Sequence, residues 1–167
     1  KQVGALDEGC VTVLARCPIA GFGHRDARGL PRTTFVGGTA GFARVHSPTR
    51  ISFALDSGLA AGPASLLFLL PGVGETLRVN GSAAAGRDGE VIFDVEEAYV
   101  HCAQAVLRSG LWQPPAPAEP AAEIGDGPLS LPGVADFLAA APFLALSTWD
   151  SSDGSDTSPR GERQAVA

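Results

Sequence analysis

The sequence predicts a mainly β protein: a small antiparallel barrel of about six strands with short flanking helices, followed by the beginning of a second copy. Three observations predict it. Short apolar stretches alternate with polar residues at a period of two. Turn residues (Gly, Pro, Asp) separate them at short intervals. And one stretch near the start recurs, at a constant offset, near the end.

Each element follows from the local pattern. Residues 1–15 carry apolar positions at Val3, Leu6, Cys10, Val13 and Leu14, the spacing of an amphipathic helix, and Pro18 ends it. Residues 19–24 form a first strand, 26–29 a turn, and 30–36 the hairpin partner, broken by Gly37 and Gly38. Residues 41–46 and 50–55 form a second hairpin around Pro48. Residues 57–64 are small and read as a flexible loop. Residues 65–70 are apolar on both faces, as a buried strand is. Residues 75–84 place Leu77 and Val79 on one face, Arg78 and Asn80 on the other. Residues 90–99 put Val91, Phe93 and Val95 on one face, and 102–111 read as a short helix. The pattern predicts burial of Val13, Phe22, Phe42, Phe53, Leu67, Leu69, Val79 and Phe93.

Residues 113–127 are rich in Pro, Ala and Glu and lack the means to build a core. The organisation is therefore residues 1–112 as one barrel domain, 113–130 as a linker and 131–167 as the start of a second barrel. The repeat supports this division. Pro18 matches Pro142, Asp26 matches Asp150, Thr33 matches Thr157, Thr34 matches Ser158, Gly37 matches Gly161, and Leu14 falls on Leu138. The two hairpins are expected to be equivalent about a pseudo-two-fold axis.

Composition bounds the function classes. With 167 residues, 45% hydrophobic and 18% charged, the chain can build a core. A net charge of −6 and no basic stretch argue against nucleic acid. No apolar run approaches the ~18 residues that span a bilayer, and the reading is cytoplasmic with no membrane partner. Three cysteines without paired spacing give neither a disulfide framework nor a zinc site. Cys102 reads as a small buried hydrophobe. Glu96 and Glu97, adjacent on a strand, fall on opposite faces and so do not form a carboxylate pair. Gly72-Val73-Gly74 is a turn with no phosphate-loop continuation, and neither Ser109 nor Ser147 has hydrolase neighbours.

The blocks LLFLLPGVGETLRVNG and VEEAYVHCAQAVLRSGLW, within residues 66–112, resemble the second half of a flavin-binding split barrel of the pyridoxamine 5′-phosphate oxidase-like family. The N-terminal KQVGALDEGC and Gly41-Phe42-Ala43-Arg44-Val45 resemble the same family. The resemblance implies an antiparallel split β-barrel, FMN as cofactor, and hydride transfer between flavin and a small organic substrate or oxygen. It also implies a homodimer or, with the repeat, a pseudo-dimer within one chain. A Ser-Pro-(Lys/Arg)-Gly run that ends the family's first hairpin survives as Ser158-Pro159-Arg160-Gly161, while the first copy has Val36 in place of the cation. The resemblance thus implies Ser158, Arg160 and Gly161 as the phosphate seat, with Arg44, Arg78 and Trp112 as further cofactor residues. Arg78 reads equally well as ion-paired, and Trp112 as a plug for the barrel end.

The family's Arg-rich segment before residues 65–70 is missing: residues 56–64 hold no arginine, and a second helix near 86–89 is also absent. We expect omitted segments and chain breaks near 58–64, near 86–89 and after 161. The alternative reading is a non-catalytic binding module with a degenerate flavin site, taking haem or another small ligand, or a dimerisation scaffold.

Overall fold

In a computed structural model the described residues are 4–55, 58–114, 127, 131, 133–150 and 154–162. The linker expected over residues 113–130 lies almost wholly outside them.

The elements in chain order are α1 (Glu8–Leu14), β1 (Ile19–Arg25), β2 (Pro31–Gly37), β3 (Arg44–Ser47), β4 (Arg50–Ala54), β5 (Gly62–Leu69), β6 (Thr76–Ala85), β7 (Glu90–His101), α2 (Gln104–Ser109), α3 (Val134–Ala140), β8 (Phe143–Trp149) and β9 (Ser155–Gly161). Seven strands form one antiparallel sheet in the order β2-β1-β5-β6-β7-β4-β3, and β8-β9 form a second, two-stranded sheet. The mainly β, antiparallel expectation is met.

The barrel is not closed by hydrogen bonds. β2 and β3 are the two edges of the seven-stranded sheet. They follow each other in the chain, joined by residues 38–43. The sheet nonetheless curls, because Val36 of one edge and Val45 of the other reach the same core. Phe42, on the connection between them, meets Phe53 and Phe68 at ring distances of 6.3 and 6.0 Å. Packing across the gap therefore replaces the ladder that would close it.

α1 plugs this core with Cys10 and Leu14, and Leu6 joins them from just ahead of the helix. It is shorter than the periodicity predicts. Asp7 caps it, its carboxylate accepting from the Cys10 N–H at 2.9 Å, so the helix starts at Glu8. Of the residues expected inside, Phe22, Phe53, Leu67, Leu69, Val79 and Phe93 are buried, while Val13 and Phe42 are half-buried.

One further expectation fails. The loop over residues 57–64 is partly strand: β5 begins at Gly62, extending the ladder with β6 back to Gly62↔Ala83. Over residues 86–89 β6 turns tightly into β7, with the Gly86 N–H donating to the Glu90 carbonyl at 2.7 Å. Ahead of β5 the chain is anchored by the Ala60 N–H on the Arg25 carbonyl at 3.0 Å.

His24 is the one ionisable side chain of β1 that faces the core. It is buried and stacks on Phe22 at a ring distance of 4.6 Å. Burial lowers its pKa, against the opposing Phe22 carbonyl and the Asp26 charge. A base with a lowered folded-state pKa keeps its neutral form on folding. Below the unfolded value, about 6.5, the unfolded chain binds the extra proton. Stability is thus complete above about pH 6.5 and falls as pH drops below it. Thermal melts at about pH 7.5 and pH 5.5 should show a lower midpoint at the acid pH, and His24→Phe should flatten that loss. An unchanged pH slope in the variant would take His24 out of the account.

Candidate functional site

The β8–β9 hairpin lies across the outer face of the large sheet, over β1, β5 and β6. Its internal register repeats that of β1–β2. Ile19↔Gly37 through Arg25↔Pro31 in the first is answered pair by pair by Phe143↔Gly161 through Trp149↔Ser155 in the second.

Equivalent residues of the two hairpins also touch. A Cβ on Gly21 would stand 3.0 Å from the Ala145 Cβ, and one on Gly23 would fall 2.5 Å from the Ser147 hydroxyl. The Arg25 guanidinium lies over the Trp149 ring at 5.6 Å. One pair of contacts between non-equivalent residues is reciprocal. The Thr33 hydroxyl donates to Ser147 at 2.8 Å, and the Thr157 hydroxyl faces Gly23 at 2.6 Å from its would-be Cβ. Self-contacts and reciprocal contacts are what a two-fold axis produces. Glycine at 21 and 23 is what allows the strands to approach this closely.

The seam between hairpin and sheet is polar. The Ser65 hydroxyl meets Ser155 at 2.9 Å and Thr157 at 2.7 Å, and Ser147 meets Thr157 at 2.8 Å. Beside this chain of hydroxyls, Asp156 enters from β9. It accepts from the Arg78 guanidinium, from Asn80 Nδ2 at 3.3 Å and from the Tyr99 hydroxyl at 3.3 Å. Arg78 is only 7% exposed and stacks on the Tyr99 ring at 5.1 Å. Of its open readings, the ion-paired one describes its place, with Asp156 as the partner.

The other expected cofactor residues are dispersed. Ser158 is buried, its hydroxyl directed at the Leu146 carbonyl at 3.4 Å. Arg160 and Gly161 line a hollow of about 280 Å³ with His101, Cys102, Arg108 and Glu162. In it Arg108 is already bound to Glu162 at 2.8 Å, and the His101 Nδ1 is buried without a partner. Cys102, expected inside, is exposed. Arg44 is exposed on the edge strand β3, with β4 and β7 between it and β6. Trp112 donates its indole N–H to the Val73 carbonyl at 3.3 Å, against the turn after β5.

A larger hollow, about 780 Å³, opens at the far end of the seam. Its walls include Asn80, Trp149, Asp156 and both Glu96 and Glu97. The sequence placed those two glutamates on opposite faces. The ladder shows why they are not: Asn80 pairs with Glu97 and Gly81 with Val95, leaving Glu96 as an unpaired bulge residue. One extra residue reverses the alternation, so both carboxylates reach one hollow. Gly81 was the available signal. A Cβ there would collide with the Asp94 carbonyl, and glycine inside a strand marks a bulge. Among the described residues this hollow is lined by carboxylates and by no cation, so they offer nothing to a phosphate dianion.

No protein-family model and no curated protein matches the chain. Among solved structures it is similar to a tagged variant of HupZ from Group A Streptococcus, at 15% identity and a TM-score of 0.44, over 57% of this chain and 98% of that one. Among the described residues, no helix is long and apolar enough to cross a membrane.

Proposed function

We propose that this chain is an internally duplicated split-barrel binding module with a degenerate flavin site. The first copy is complete; the second contributes its helix and first hairpin, forming a pseudo-dimer seam within one polypeptide. The register match and the self-contacts of the two hairpins support the duplication.

The observation that carries the functional reading is Asp156. The seam's buried cation, Arg78, is neutralised by a carboxylate of the second hairpin. A phosphate group approaching Arg78 would meet Asp156 and two nearby glutamates. Direct hydroxyl contacts fill the middle of the seam, and the larger hollow at its far end is lined by carboxylates, so the small hollow at Arg160 and Gly161 is the seat that suits an anionic ligand. That hollow is below the ~300–1000 Å³ typical of drug-sized ligands. Its guanidinium and imidazole suit a small anionic group.

The same hollow is what favours the second reading, an FMN-dependent oxidoreductase. There Arg160 would hold the flavin phosphate, the flavin would supply the hydride chemistry, and the chain would position it. On that reading Arg160→Ala removes a charge-assisted hydrogen bond of about 1.5–3 kcal/mol, and FMN affinity weakens by about ten- to a hundredfold.

The visible absorbance spectrum of the purified protein separates the readings. The binding-module reading expects no flavin bands. Two flavin maxima would return the oxidoreductase, and a Soret band would identify haem as the ligand of the module.

A further inference from the structure

We infer that Arg78, Asn80 and Tyr99 form a carboxylate receptor on the outer face of the large sheet, and that Asp156 is its tethered occupant, which a free monocarboxylate replaces when the β8–β9 hairpin lifts. The inference deepens the binding-module reading. It rests on the docking of the hairpin, and not on the duplication or on the small hollow.

The receptor belongs to the sheet. Its three donors sit on β6 and β7, and the ladder puts them on one face, with Arg78 opposite Tyr99 and Asn80 opposite Glu97. Arg78 lies over the Tyr99 ring at 5.1 Å. Glu97 accepts from Asn80 Nδ2 at 2.9 Å, which fixes the orientation of that amide. Neither restraint comes from the hairpin. Burial raises the Tyr99 pKa, with Arg78 opposing and Asp156 adding, so the hydroxyl remains a donor.

The occupant comes from β9, and its contacts state the ligand class. One Asp156 oxygen, Oδ2, takes the Arg78 guanidinium. The other, Oδ1, takes Asn80 Nδ2 and the Tyr99 hydroxyl, both at 3.3 Å. Two oxygens of one planar group, each with its own donor, is carboxylate recognition. Charge narrows the class. Arg78 brings one positive charge and Glu97 stands beside the receptor, so a monoanion is matched and a dianion is repelled.

Asp156 holds the hairpin against a counterweight. Among the described residues, four buried polar side-chain atoms have no hydrogen-bond partner: Thr76 Oγ1, Arg78 Nε, Asn80 Oδ1 and His101 Nδ1. All four belong to one face of β6 and β7, since Thr76, Arg78 and Asn80 alternate along β6 and His101 pairs with Thr76. The face that β9 crosses is thus the one with unmet polar groups, and their lost hydration works against the docked state. The Asp156 side chain is 37% exposed and, with Asn80, borders the larger hollow, which gives a free carboxylate its way in.

The test uses formate, the group that Asp156→Ala deletes, on the ¹⁵N-labelled full chain, with chloride at equal ionic strength as the control. In Asp156→Ala, formate should slow amide exchange in β9 by about ten- to a hundredfold, the weight of a charge-assisted hydrogen bond. In the unaltered chain, formate well above the millimolar effective concentration of a tethered group should do the opposite and speed β9 exchange. The slowing should vanish when Arg78→Met is added, and should be absent in Asp156→Asn, whose amide fills the same space. Four results would each overturn the inference: no slowing in Asp156→Ala, slowing that persists with Arg78→Met, equal slowing by inorganic phosphate, or an unaltered chain indifferent to formate. If Asp156→Ala also loses protection in β5, β6 and β7, the response of the unaltered chain decides alone. Unprotected β9 amides in the unaltered chain without formate would remove the docked hairpin, and with it the binding-module reading. Failure of the formate responses with β9 protected leaves that reading standing.

Discussion

Replacing Asp156 by alanine should release the β8–β9 hairpin from the sheet and leave the seven-stranded sheet folded. Asp156 is the shared acceptor for Arg78, Asn80 and Tyr99. Without it the Arg78 guanidinium stays buried with no opposing charge. A hydrogen bond to a charged group contributes about 1.5–3 kcal/mol, and an uncompensated buried charge raises the loss toward the upper figure. Undocking lets water reach Arg78, so the loss cannot exceed the docking free energy. The seam combines the hydroxyl contacts with buried apolar side chains, Pro159 of β9 and Leu67 of β5 among them. Hydrogen exchange should show β9 amides losing protection while β5, β6 and β7 keep theirs. Asp156→Asn, which retains an acceptor but not the charge, should fall between. Global unfolding, or full retention of β9 protection, would show that the seam is held by something else.

The second large effect is in the core and comes with its own internal control. Phe22→Ala should lower stability by about 3–5 kcal/mol, a fall in midpoint of roughly 6–20 °C for a chain of this size. Phe22 is fully buried, meets Phe53 edge-on at a ring distance of 5.1 Å and supports His24 from above. Leu146→Ala, at the equivalent place in the second hairpin, should cost less than about 0.5 kcal/mol, because that side chain is half in solvent. Equal costs at the two sites, measured by urea denaturation, would mean that Leu146 already has a core around it.

The strands were legible because their side chains alternate, and the turns because Gly, Pro and Asp punctuate them. The repeat was legible from Pro142, Thr157 and Gly161. The closure of the sheet was not, since periodicity says which face is buried and nothing about which edges meet. The bulge at Glu96 inverted a reading that was sound for a regular strand. Arg78 illustrates the main limit. Its place on the polar face of β6 was readable, but its partner lies on β9, far along the chain, and a one-residue change of docking would have given it another. Ser158, Arg160 and Gly161 share β9, but only Arg160 and Gly161 border the small hollow, while Ser158 turns to the Leu146 carbonyl and Arg44 and Trp112 sit at separate parts of the fold. The hydroxyl chain from Thr33 to Ser155 left no local trace, because single serines and threonines on strands are ordinary.

The central claim is that the seam between the β8–β9 hairpin and the large sheet is closed to a flavin nucleotide by Asp156 and its neighbours. Calorimetric titration of FMN into the purified full chain tests it most directly. The account predicts no saturable heat. Saturable one-to-one binding that weakens about ten- to a hundredfold in Arg160→Ala would contradict it.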